Sequence, residues 1–219
     1  MCHHLLSFLS CVQAEYQRIL TTNVRELTFK TVTSIDVSGS IEWWDEPEYI
    51  MSFAEALAVV KAVPDAFCLA ELKSGGGEES ILTANLAAKV TKESGATPED
   101  IIFISFDLNN MIRIKELLPS FRCLHVMMPE ADVAMDEVKT ALDAGMDGVD
   151  LWAIPDIVTQ ELIDYVHSRK KSVAVWVWDG ITRMKVDTAK NMQVLSERGV
   201  DYFTTDLPDD ILVMMEGDK

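Results

Sequence analysis

The sequence predicts an α/β fold in which six parallel strands, each joined to the next through a helix, form most of a (β/α)8 barrel. Three observations predict it. From residue 52 onward, helical periods alternate with short β-rich apolar runs, the pattern of a parallel sheet with helices outside it. The glycines at Gly75, Gly76 and Gly77 have neither the G-x-G-x-x-G nor the P-loop spacing, which disfavours a doubly wound nucleotide-binding sheet. Polar residues collect at the carboxyl ends of the strands: Glu71 and Lys73, Asp107, Asp150 and Trp152, Trp178 and Asp179, and Asp206. A barrel gathers those ends into one mouth.

Each element has its own signal. Ser52-Phe-Ala-Glu55 is a capping box that opens a helix to about Val63, and Phe67–Lys73 is an apolar strand. A helix over Glu79–Ser94 leads to the strand Ile101–Phe106, and a helix over Leu108–Leu118 to the strand Arg122–Met128. Helices at Ala131–Ala144 and Asp156–Arg169 flank the strand Gly148–Trp152. The strands Ser172–Trp178 and Asp201–Thr205, separated by a helix around Met184–Arg198, complete the series.

Composition bounds the function. Lys and Arg number 19 against 36 Asp and Glu, a net charge of −17, so a polyphosphate backbone is repelled and no nucleic-acid partner is expected. No stretch reaches the roughly 20 apolar residues of a transmembrane helix, and a soluble chain is expected. Leu5–Val12 is a short apolar run with no Lys or Arg before it, so a cytoplasmic location is expected over a secreted one. Residues 1–17 are accordingly separated as an apolar N-terminal segment, and residues 18–219 as the barrel domain. Cys2, Cys11, Cys68 and Cys123 show no C-x-x-C spacing, and neither a disulfide framework nor a zinc site is expected.

The stretch richest in chemistry is Asp65–Gly76, an apolar strand that ends in Glu71 and Lys73 and then a Gly-rich turn. Alternation along a strand puts Glu71 and Lys73 on one face and Leu72 on the other. Such a pair can be a rim salt bridge, or it can hold a divalent cation and an anionic substrate at a barrel mouth.

Several segments resemble the glycerophosphodiester phosphodiesterase family in order along the chain. MSFAEAL and LAELK (residues 51–57 and 69–73) resemble the family's helix and Glu-x-Lys strand, and IIFISFDLNNMIRIKELLP (101–119) its strand ending in Ser-Phe-Asp. GMDGVDLW, SVAVWVWD and ERGVDYFTTDLPD follow, and RILTTNVRELTFKTVTSID (18–36) resembles the stretch between the family's second and third strands. The likeness spans roughly residues 18–210. It implies a metal-dependent (β/α)8 barrel that hydrolyses a glycerophosphodiester to sn-glycerol 3-phosphate and an alcohol. It also implies that Glu71 ligates the metal, Mg²⁺ or Ca²⁺, that Lys73 contacts the substrate phosphate, and that Trp176 lines the glycerol side of the pocket.

The departures matter equally. The family's His-Arg-Gly and His-Asp motifs do not occur in the 219 residues, and no Glu-x-Asp precedes Glu71. The expectation is therefore a barrel without its first two βα units, holding a cation weakly through Glu71 alone and hydrolysing its substrate poorly. A non-catalytic module that binds a small anion or a protein partner is the alternative. The exposed edges of the first and last strands are expected to favour self-association. His3 and His4 are read as exposed terminal residues, His125 as a satisfied core or near-core histidine and His167 as a structural residue near a helix end. Asp107 and Asp206 are read as helix caps. Asp179 stands where the family has Asn, and it either replaces a lost ligand or repels a phosphate.

Overall fold

The computed structural model describes residues 26–37, 47–73, 76–177, 186, 188–206, 208, 209, 211 and 213. The readings of Leu5–Val12, His3, His4, Trp178 and Asp179 fall outside the described residues. The chain divides into two units, Met1–Ala56 and Leu57–Lys219. In the first, a single turn of helix, α1 (Phe29–Val32), is capped by the Thr28 side chain, and Asp36 bridges Tyr49 in antiparallel fashion. Helix α2 (Phe53–Ala62) opens on the expected capping box. Ser52 N–H donates to Glu55 Oε2 at 2.8 Å and Glu55 N–H to Ser52 Oγ at 3.2 Å, so two amides that the first helical turn leaves unpaired are satisfied reciprocally.

The second unit is a repeating βα series. The strands are β1 (Cys68–Glu71), β2 (Ile101–Ser105), β3 (Arg122–Met127), β4 (Gly148–Trp152), β5 (Ser172–Trp176) and β6 (Tyr202–Phe203). Between them run α3 (Glu78–Ser94), α4 (Leu108–Leu117), α5 (Ala134–Asp143), α6 (Gln160–Ser168) and α7 (Ala189–Glu197). All five pairings are parallel and the spatial order is β1-β2-β3-β4-β5-β6. The expected six-stranded partial barrel is what forms among the described residues.

Three contacts show that this sheet curls. Laid flat, β1 and β6 would stand about 24 Å apart, at roughly 4.8 Å per strand. Yet Phe67, just before β1, meets Tyr202 of β6 edge to face with ring centroids 5.6 Å apart. Arg122 of β3 reaches the Tyr202 hydroxyl at 2.6 Å, and Phe106 after β2 packs on Trp176 of β5 at 5.4 Å. Within the curl, Ile102, Ile104, Leu124, Val126 and Ala174 form an apolar interior against Leu69, Trp176 and Tyr202. The opposite face of the same strands, including Ile101, Phe103, Cys123, Val149, Leu151, Val173 and Val175, is equally buried. Burial on both faces is why these strands are continuous apolar runs.

Several expected boundaries move. The β1 ladder stops at Glu71 and not Lys73, and β6 pairs only over Tyr202–Phe203. Helix α6 starts at Gln160 and not at Asp156, because Thr159 caps it by accepting from Leu162 N–H at 3.3 Å. Helix α5 starts at Ala134 and not at Ala131, since Val133 and Ala134 N–H both turn back to the Glu130 carbonyl.

Two devices lock the end of the sheet where the strands begin. Asp147, just before β4, accepts from Lys115 at 2.8 Å, from Lys171 at 3.2 Å and from Cys123 N–H at 3.1 Å. Asp201, just before β6, repeats the motif: its carboxylate accepts from Val173 N–H at 2.8 Å and contacts His167 Nε2 at 3.0 Å. Each aspartate thus ties its own strand to the amide of the preceding strand. His167 is structural, as its sequence position implied. Gly148 is required for a different reason: a Cβ there would overlap the Ser172 carbonyl oxygen and lie 2.8 Å from Leu124 Cδ2.

Gly148→Ala is therefore expected to cost about 1–3 kcal/mol in urea unfolding, whereas Gly77→Ala, with open space around its Cβ, carries only the strain of its positive φ. Asp147→Asn should also destabilise, and in a pH-dependent way. Burial raises the Asp147 pKa, but the Lys115 hydrogen bond and the Cys123 amide outweigh it and hold the carboxyl below its ordinary value of 3.8. The stability it contributes is present at neutral pH and lost as pH falls through the folded pKa. Denaturant melts at pH 7 and pH 3 should show the two proteins converging at the lower pH.

Candidate active site

At the opposite end of the sheet, where β1, β2 and β3 finish, lies a cavity of about 470 Å³ lined by Glu71, Leu72, Lys73, Ser105, Phe106, Asp107, Leu108 and His125. The two charged residues singled out in the sequence meet there. Lys73 Nζ lies 2.8 Å from Glu71 Oε1, with the lysine side chain 79% exposed and the glutamate 30%. A pair this open to solvent adds little to stability, so either partner is free to exchange the other for a ligand. Trp176 does not line the cavity itself, but it packs on Phe106, which does.

The Ser-Phe-Asp sequence divides its labour among three directions. Ser105 is 1% exposed, and its hydroxyl donates to the Leu72 carbonyl at 2.6 Å, which fixes the chain between Glu71 and Lys73. Asn110, fully buried inside α4, adds a bond from Nδ2 to Ser105 Oγ at 3.3 Å and a longer one to the Leu72 carbonyl at 3.4 Å. Phe106 turns toward the mouth, where it is half exposed. Asp107 caps α4 by accepting from Asn109 N–H at 2.9 Å, as its sequence position implied, and also accepts from the Ser80 hydroxyl. Sequence reasoning missed Ser105 and Asn110 as the residues that hold the Glu71–Lys73 corner. The one available signal was a polar asparagine inside an apolar helix face.

His125 lies at the margin of the core, within the core or near-core placement that its sequence position implied. It is half-buried and lines the cavity, with Nδ1 at 3.1 Å from the Ser105 carbonyl oxygen. Burial lowers its pKa, partly offset by that carbonyl and by Glu137 and Asp107, so the ring is neutral at pH 7. A carbonyl only accepts, so Nδ1 carries the proton and Nε2 is an unprotonated acceptor.

Asp150 is the least expected feature. It is 1% exposed, and neither carboxylate oxygen has a hydrogen-bond partner. Burial and then the charge on Glu71 push its pKa up to about 7. Among the described residues no three His, Cys, Asp or Glu side chains form a metal-binding group. The oxygen donors that are present, on Glu71 and Asp150, are of the hard type that Mg²⁺ and Ca²⁺ take.

Because its folded pKa lies above the ordinary 3.8, Asp150 binds its proton more tightly in the folded chain. Its contribution to stability is complete below about pH 4 and is lost as pH rises toward 7, by up to about 1.4 kcal/mol per pH unit. Asp150→Asn should flatten the stability profile over that window, measured by urea unfolding in metal-free buffer; an unchanged slope would mean that the carboxylate is already ionised at low pH.

Comparison with known proteins now gives this geometry a context. The profile of the Glycerophosphoryl diester phosphodiesterase family matches residues 11–210. No curated protein matches by sequence. Among solved structures, a candidate glycerophosphodiester phosphodiesterase from Galdieria sulphuraria superposes with a TM-score of 0.70 at 18% identity, covering 90% of this chain and 73% of its own. A glycerophosphodiester phosphodiesterase from Parabacteroides distasonis gives 0.64 at 20% identity, covering 88% and 72%. A phosphodiesterase from Oleispira antarctica, in complex with the product sn-glycerol 3-phosphate, gives 0.69 at 14% identity, covering 89% and 73%. At these identities the structures speak for the fold, and the profile match, which runs over most of the chain, speaks for descent. The chain belongs to the glycerophosphoryl diester phosphodiesterase family.

Proposed function

We propose that this chain binds a glycerophosphodiester at the Glu71–Lys73 corner and hydrolyses it slowly to sn-glycerol 3-phosphate and an alcohol. The observation that carries the reading is the exposed ion pair at the wall of a cavity on the carboxyl ends of the strands, where barrel enzymes hold their sites. Family membership and the product seen in the Oleispira antarctica phosphodiesterase support the substrate class.

Glu71 would hold a divalent cation, whose chemistry is to neutralise charge on the phosphoryl oxygens and lower the pKa of a bound water. With Glu71 so engaged, the Lys73 ammonium would contact a non-bridging phosphate oxygen, where a positive charge stabilises the negative charge that grows in the transition state. Phe106, backed by Trp176, gives the glycerol carbons an aromatic wall. Neutral His125, with Nε2 free to accept, is suited to take a proton from water as it attacks phosphorus. The P–O bond to the alcohol then breaks, and the departing alkoxide needs a proton.

No described side chain on this wall is an obvious acid for that last step. His125 presents an acceptor, and His167 is bound to Asp201 at the far end of the strands. With the described residues alone, protonation of the leaving group falls to solvent, which forfeits the roughly 10²–10⁴-fold that a positioned acid contributes.

Release of sn-glycerol 3-phosphate from glycerophosphocholine with Mg²⁺ or Ca²⁺ tests the proposal. Slow, metal-dependent turnover is expected, lost in Glu71→Gln, with Lys73→Ala raising KM; turnover indifferent to both substitutions would place the site elsewhere. Self-association belongs to the same proposal, because among the described residues β1 and β6 have no outer partner strand. Light scattering should show species larger than 24.5 kDa, and a sharp peak at that mass would count against it.

A further inference from the structure

Asp150 has no role in the chemistry above, yet it is the most unusual group in the interior. Buried polar atoms in native proteins nearly always find a partner, and a buried carboxylate without one costs several kcal/mol when ionised. Both oxygens of Asp150 lack one, at 1% exposure. Its register neighbours explain why: Val126 on β3 and Ala174 on β5 flank it, and both belong to the apolar interior cluster. Both register neighbours of this carboxylate are hydrocarbon, and neither side chain offers it a donor.

Its direction is fixed by strand alternation. In register with two interior residues, Asp150 points to the concave face of the curled sheet, as Glu71 does in step with Ile104. The charge of Glu71 is felt at Asp150. Two carboxylates sharing an interior with no cation between them repel, whereas a divalent ion between them turns the same arrangement into coordination. Mg²⁺ is commonly held by just one or two carboxylates, with waters and substrate phosphate oxygens completing its shell.

We propose that Asp150 and Glu71 together form a two-carboxylate divalent-cation site on the concave face of the partial barrel. This rests on the assignment of Glu71 as a cation ligand and adds the second protein ligand. It supplies from β4 an oxygen donor in a chain that has no Glu-x-Asp ahead of Glu71. The Trp152 indole N–H, also buried without a partner and two residues further along the same face of β4, is a donor and not a ligand. It is left to bind a water or an anion held by the cation.

The test reads cation binding directly and does not depend on turnover. Isothermal titration of the 219-residue chain with MgCl₂ or CaCl₂ should give one site. Asp150→Asn and Glu71→Gln should each weaken it at least about tenfold, and the double variant should lose little more than either single one. The cation should raise the Tm of the wild-type chain and leave that of Asp150→Asn unmoved. Wild-type binding abolished by Glu71→Gln but untouched by Asp150→Asn would overturn the role of Asp150 and leave Glu71 in place. Binding sensitive to Asp150→Asn and indifferent to Glu71→Gln would overturn the shared site, and no binding to the wild-type chain would overturn both assignments. Should Asp150→Asn not fold, Tb³⁺ luminescence excited through tryptophan gives an independent readout: a signal lost in Trp152→Phe supports the site beside β4, and an unchanged signal overturns it.

Discussion

The parallel register is the constraint on which the rest of the structure depends. Cys68 to Glu71 run in step with Ile101 to Ile104, those with β3, and so on across the sheet, which commits every second residue to the concave interior. Once Ile102, Ile104, Leu124, Val126 and Ala174 fill that interior, Glu71 and Asp150 have no choice of face. A slip of one residue in any strand would exchange the faces, turning Glu71 or Asp150 away from the interior and against the helices. The same register demands glycine at 148, where the Ser172 carbonyl closes the space a side chain would need.

The two ends of the strands are then held by opposite strategies. Where the strands begin, charge is satisfied: Asp147 collects two lysines and an amide, and Asp201 an amide and a histidine. Where they end, satisfaction is incomplete. Glu71 and Lys73 have each other in a solvent-open pair, while Asp150 and the Trp152 indole have nothing. Saturated networks rigidify a scaffold, and groups left unsatisfied at the far end are what a ligand can satisfy.

Between these ends the Ser105–Asn110–Leu72 node converts scaffold into site. It anchors the backbone between the two charged residues to the end of the neighbouring strand and the first turn of α4. Phe106, the next residue on, carries the same strand end across to Trp176, so the aromatic wall and the charged corner share one support.

How much of this the sequence determined follows from the range of the forces involved. Alternating periods, the capping box at Ser52 and the apolar strands are local signals, and they specified the βα series and the Glu71–Lys73 pair, because adjacent residues on one strand face are together whatever the fold. The family motifs carried Trp176 as a candidate, and the structure brings it to Phe106. What the tertiary structure alone decided lies across sequence separations: Ser105 with Leu72, 33 residues apart, Phe106 with Trp176, and the isolation of Asp150 among Val126 and Ala174. That the near-core His125 also reaches the cavity wall was hidden for the same reason, since strand periodicity reports that a residue is flanked by apolar neighbours and not where the strand ends in space. A carboxylate's partners, or its want of them, depend on which strands the curl brings opposite one another, and no local pattern encodes that.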